Sequence, residues 1–168
     1  MKTELIIRAV EAHEWAMYRD VRLSALADAP DAFCTTLADE QARALDSWAT
    51  RLAQAAVSGQ DHPLIAELAG APVGMLWAKR DDADPGVVNL FQMWVAPEGR
   101  GRGVAAALLA QAVAWARAAQ ARVVQLDVTS GGTAAARRYL RAGFCNVGPA
   151  IPRSPGSPIM QQNMRLEL

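Results

Sequence analysis

The chain has 168 residues, 52% of them hydrophobic, and its 17 Lys and Arg balance 17 Asp and Glu for a formal net charge of zero. That length suits one domain over residues 1–168 and buries roughly 70% of the unfolded surface, while the apolar content excludes disorder as the main state. No run of about 18 uncharged apolar residues occurs, which excludes a membrane-spanning helix, and the widely separated Cys34 and Cys145 are expected to be reduced thiols rather than metal ligands.

Met1 to Val10 has no apolar segment followed by a small-residue cleavage site, so no signal peptide is expected and the cytoplasm is the expected location. Leu5 to Val10 reads as a short strand. Glu14 to Ala27 carries Trp15, Tyr18, Val21 and Leu26 at helical intervals, and Asp28-Ala-Pro30 stops that helix. Leu45, Trp48, Leu52 and Ala56 predict a second amphipathic helix. Leu64–Leu68 and Val73–Ala78 read as strands of a hairpin turning at Gly70-Ala-Pro72. Asp81 to Gly86 is a loop, and Val87 to Val95 is the longest strand. After a Gly-rich break, Val104 to Ala119 is a helix, Arg122–Val128 a strand, Thr133–Ala142 a helix and Phe144–Val147 a strand. Pro149 to Pro158 holds four prolines and reads as a loop before a last strand, Ile159–Leu168. Neither a repeat nor a linker divides this order, so it argues a single mixed α/β domain.

Charge is unevenly spread. Arg100 to Arg141 carries seven arginines and one acid, Asp127, so that third is +6 and the remainder −6. A neutral chain with one basic third is not expected to bind nucleic acid; it suits one specific anionic ligand, unless the arginines simply coat helix faces. That third opens with Pro97-Glu-Gly-Arg-Gly-Arg-Gly103, a Gly-rich turn between a strand and a helix. Glycines let backbone N–H groups converge, and a helix N-terminus favours an anion, typically phosphate. A Walker loop is absent. Gly101-x-Gly103-x-x-Ala106 with Asp127 fits the dinucleotide fingerprint. Against it, only about 65 residues follow, short of two βαβ halves, and Asp127 falls inside the predicted strand.

At these residues the sequence resembles the GNAT superfamily of acetyl-CoA-dependent N-acetyltransferases. Val95-Ala-Pro97 followed by Arg100-Gly-Arg-Gly103-Val-Ala105 matches its Val-x-Pro and Arg/Gln-x-x-Gly-x-Gly/Ala blocks. Leu126-Asp-Val128, Ala134–Ala136, Tyr139 and Gly143-Phe144 match its second block in order and spacing. The resemblance implies a mixed central sheet of about seven strands, splayed between its two central strands and flanked by about four helices. It implies that the turn formed by Arg100, Gly101, Arg102, Gly103, Val104 and Ala105 holds the CoA pyrophosphate. The backbone at Trp94 and Val95 would pair with the pantetheine arm and polarise the thioester carbonyl. Tyr139 would be the general acid to the CoA thiolate; on packing grounds alone it is a core tyrosine.

Two positions depart from the family. Gly132 stands where a pantetheine-binding Asn is usual, with Ser130 or Thr133 as substitutes. Asn89 stands where one branch has a glutamate base, and an amide takes no proton at neutral pH. Asp127, Glu40, Glu67 or a water chain are the candidate bases. Phe33 and Thr36, with Asn89 and Glu40, are acceptor-site candidates in the region that lines the family's acceptor pocket. His13 and His62 read as surface residues, and no metal is expected. Asp81, Asp82 and Asp84 read as a solvated loop. The reading is therefore an N-acetyltransferase acting on a small-molecule amine or a protein N-terminus. The alternative is a CoA-binding domain without turnover. No membrane partner is expected, and a homodimer is left open as the assembly.

Overall fold

The computed structural model describes residues 3–168. Its central strands are apolar on both sides, and the helices follow from that. β1 (Leu5–Ala9), β2 (Asp61–Leu68), β3 (Ala71–Arg80) and β4 (Val87–Val95) form an antiparallel run. Residues 73–78 of β3 are buried without alternation, as in a strand covered on both faces. α1 (Trp15–Asp28) and α3 (Leu45–Ser58) lie over one face, where the Tyr18 ring meets Trp77 edge-on at 5.6 Å. α4 (Val104–Ala118) covers the other: a Cβ on Gly74 would lie 3.1 Å from Val104 and 3.2 Å from Leu108, so only glycine allows that close approach. β5 (Val123–Thr129), α5 (Ala134–Arg141), β6 (Cys145–Pro152) and β7 (Met160–Glu167) complete a seven-stranded sheet of order β1-β2-β3-β4-β5-β7-β6.

Only β4 and β5 run parallel, and they pair only from Val87, Val88 and Asn89 to Val123, Val124 and Gln125. Beyond those residues the strands part. A bulge lies on the far side of the parting. Phe91 opposes Trp77 and Trp94 opposes Met75, so Gln92 and Met93 together face one residue of β3. Gln92 sits at φ 60°, an unfavourable angle for a side-chain residue, and its Oε1 accepts a hydrogen bond from the Tyr18 hydroxyl. The fully buried Trp48, Tyr18, Phe144, Leu108 and Met164 anchor the core, each stabilising by roughly 1.5–3 kcal/mol.

Seven strands and the splay match the expectation; the details differ in four places. α2 (Leu37–Ala42) is an additional helix, capped by Thr36 and too short for its periodicity to show. α3 buries Ala55 rather than Ala56. The β2–β3 hairpin turns on Ala69 and Gly70, both at positive φ (51° and 79°), with Leu68 opposite Ala71, because a two-residue loop of that conformation matches strand twist. β6 runs on to Pro152, inside the expected loop; it is an edge strand, where proline is tolerated. No described helix is long and apolar enough to cross a membrane.

Candidate active site

The Gly-rich turn follows directly from the end of β4. The Ala96 N–H donates to Val73 O at 2.8 Å, and Pro97–Gly99 makes one tight turn. Arg100 Nε then donates to Val95 O at 3.1 Å, and its guanidinium pairs with Asp28. Trp94 Nε1 donates to the same carboxylate at 2.9 Å, and these partners hold Asp28 below the usual carboxylate range. The Arg100 side chain thus ties the turn to the end of α1. Gly101 and Gly103 adopt φ 73° and 77°, and a Cβ on either would meet no atom within 4 Å. Gly103 begins α4 without a side-chain cap, and Ala107 N is bonded to Gly103 O. The first amides of the helix therefore point into open space with the positive end of its dipole. A cavity of about 630 Å³ lies over them, and Arg117, Arg138 and Arg141 line it. Arg102 does not line this cavity. Arg122 is paired with Asp84, and Arg137 donates to Gly132 O.

A second cavity, about 910 Å³, occupies the parting of β4 and β5. Its walls include Phe33, Asn89, Gln92, Leu126, Val128 and Tyr139. Tyr139 enters from α5, whose N-terminus Thr133 caps by accepting from Ala136 N at 3.1 Å. The ring packs on Phe144 at 5.8 Å and is 5% exposed. Burial pushes its hydroxyl up to about 12, and no described residue hydrogen-bonds it. Asn89 is engaged at both ends of its amide: it donates to Asp81 at 3.0 Å and accepts from Gln125 at 2.7 Å. Of the three candidate carboxylate bases, only Asp127 lines this cavity, accepting from Asn163 Nδ2 at 3.0 Å. Glu67 pairs with Arg8 at 2.9 Å on β2, and Glu40 pairs with Arg43 at 2.9 Å.

Phe33 lies in the cavity wall, whereas Thr36 is exposed and accepts from Asp39 N as the cap of α2; the cavity residue is its neighbour Thr35. Trp94 lines neither cavity with its indole turned to Asp28, and Val95 borders the turn. Thr133 lines the larger cavity beside Gly132, while Cys34 borders it as a free, exposed thiol. His62, expected at the surface, is half-buried. It stacks on Trp115 with centroids 5.1 Å apart, and burial lowers its pKa. No cluster of three metal-ligating side chains exists among the described residues. Gln92 and Arg153 are among the cavity residues that the sequence reading passed over. Gln92 left one trace, a polar residue inside an apolar strand. Arg153 left none; it crosses from the β6–β7 loop to Phe33 O at 3.1 Å and Thr129 Oγ1 at 2.8 Å, tying that loop to the cavity wall.

A family model described as Acetyltransferase (GNAT) family matches residues 15–144. No curated protein gives a significant match. Among solved structures, an acetyltransferase of GNAT family from Streptococcus pneumoniae is 23% identical, with 98% of this chain and 100% of that one covered and a TM-score of 0.79. The yncA protein of Salmonella typhimurium, solved with its cofactor acetyl-CoA, is 18% identical with 99% and 95% covered and a TM-score of 0.80. Spermidine N-acetyltransferase from Vibrio cholerae, in complex with CoA and spermine, is 15% identical with 97% and 95% covered and a TM-score of 0.78.

Proposed function

This chain belongs to the GNAT acetyltransferase family, and on that premise we propose that it transfers the acetyl group of acetyl-CoA directly to a primary amine of a small molecule or a peptide. The observation that carries the reading is the parting of β4 and β5 beyond Asn89 and Gln125. It leaves a cleft with the open amides of the Gly-rich turn near the end of β4 and Tyr139 in its wall. These residues suit CoA. Gly101 and Gly103 leave the space above their backbone clear, and four arginines line the same cavity, of which Arg100 is paired with Asp28. Solved relatives of this fold hold acetyl-CoA or CoA.

Acetyl-CoA supplies the acetyl group as an activated thioester. The amides from Gly101 to Ala105 hold its pyrophosphate, and Arg117, Arg138 and Arg141 add charge where the 3′-phosphate is sought. The backbone beside Val95 orients the arm along β4. As the new C–N bond forms and the C–S bond breaks, the Tyr139 hydroxyl donates to the departing sulfur. Asn89 takes no proton, so the amine proton leaves through Asp127 or water. The test is release of free thiol from acetyl-CoA with a panel of amines. Amine-dependent release is expected. CoA binding without release from any amine would leave a CoA-binding domain instead.

A further inference from the structure

Among the described residues two cations line the larger cavity without a carboxylate partner, and of these Arg153 is held by hydrogen bonds to Phe33 O and Thr129 Oγ1 whereas Arg22 has none. Arg22, on α1, is 4% exposed, and it lines both the larger cavity and a smaller one of about 370 Å³ beside it. Its Nη1 is buried without a hydrogen-bond partner, and no ion pair reaches it among the described residues. Its guanidinium carbon sits 4.5 Å over the Phe33 ring, which orients the fork without neutralising it. Burial lowers its pKa, and Glu40 is the one carboxylate that counters this. Glu40, however, pairs through Oε1 with Arg43 at 2.9 Å, and its Oε2 lies 3.9 Å from Arg51, buried and without a hydrogen bond to Arg22 or any other described residue.

The other acids around these cavities are occupied or outside. Asp61 accepts from Trp77 Nε1 at 2.9 Å and from Ser58 at 3.0 Å. Asp28 serves Trp94 and Arg100, and Asp127 serves Asn163. Asp31 is exposed at the rim. An unpaired guanidinium this deeply buried is costly to the folded protein, and such a cost is met when a ligand brings the missing charge. The planar fork matches a carboxylate, which takes two parallel hydrogen bonds from it. Phe33, Leu126 and Val128 give the same cleft apolar walls.

We propose that Arg22 is the subsite for a carboxylate carried by the acceptor, so that the acceptor is an amino acid or a similar amino-carboxylate with an apolar body. This rests on the transferase reading above. A polyamine is the wrong partner, because its charges would be brought beside an uncompensated cation.

The experiment compares a panel of L-amino acids with their primary amides and with spermidine. Affinity is measured by calorimetry in the presence of CoA, and thiol release is followed in parallel from acetyl-CoA. At least one acid is expected to bind more than tenfold tighter than its amide. Arg22→Met, which keeps an unbranched chain over Phe33, is expected to abolish that difference, and Arg22→Lys to retain part of it. The ligand-free Arg22→Met protein is expected to melt at a higher temperature, because it no longer buries an unpaired charge; a merely structural arginine would give a lower one. Equal affinity for acids and amides in the wild type overturns the subsite without recourse to any variant. Equal thiol release with amides or spermidine likewise overturns it, while the transferase reading stands. Acid-selective binding lost in Arg22→Met but without thiol release keeps the subsite and removes the transferase reading.

Discussion

Tyr139 combines deep burial with a hydroxyl that no described residue satisfies. Its pKa of about 12 makes it a weaker acid than the sequence comparison implies. Proton transfer from it to a departing thiolate is more uphill than from an ordinary tyrosine, unless the same desolvation raises the thiolate as well. In the proposed mechanism the phenol would therefore act as a hydrogen-bond donor that gives up its proton late. Tyr139→Phe keeps the packing on Phe144 and is expected to lower kcat ~10²-fold or more, with little change in CoA affinity. Single-turnover kinetics check this, and near-normal chemistry would leave Tyr139 a packing residue. A second residue-scale effect concerns acid stability. The Arg8 guanidinium beside Glu14 lowers its carboxyl from 4.5 to about 2. The folded-state pKa lies below the unfolded one, so this contribution is present above about pH 4.5 and is lost as pH falls toward 2. Glu14→Gln is expected to remove that part of the acid-induced loss in urea melts across this range.

At the scale of elements, the Gly-rich turn and α4 form one device. Gly103 is both the left-handed start of the helix and an uncovered surface. Gly103→Val is expected to cost ~1–2 kcal/mol of stability for a branched side chain at positive φ. Its Cβ meets no neighbour, so the variant still folds. It projects into the space where the pyrophosphate is proposed to approach. CoA affinity is expected to fall at least tenfold, about 1.4 kcal/mol, by calorimetry. Unchanged affinity in the folded variant would remove the pyrophosphate assignment. Both the turn and α4 were legible in the sequence, because glycine clusters and helical periodicity are local signals. α2 was not, since six residues show no period. The capping role of Thr36 was hidden for the same reason: it depends on a helix that could not be seen.

Over the whole molecule, the excess charge of one third of the chain resolves into separate groups. Arg100, Arg122 and Arg137 are tied down by Asp28, Asp84 and Gly132 O, whereas Arg117 from α4 and Arg138 and Arg141 from α5 meet at one cavity. If that cavity receives the 3′-phosphate, dephospho-CoA is expected to bind more weakly than CoA, with the gap widening at low salt and shrinking in Arg138→Ala and Arg141→Ala. Equal affinities at low salt would return those arginines to solvated helix faces. The sequence by itself determined the strand and helix order apart from α2, the Gly-rich turn, the basic third and the family, because each is written in neighbouring residues or in fixed spacings. Only the tertiary structure decided which arginines remain free and which carboxylates are already taken. It also decided that Gln92 bulges, that Arg153 reaches back to Phe33, and that Arg22 lies in the cleft with no ion pair among the described residues. Those facts depend on segments far apart in the chain meeting at one place, and on which side chains burial leaves without a counter-charge. Neither can be read from a local pattern.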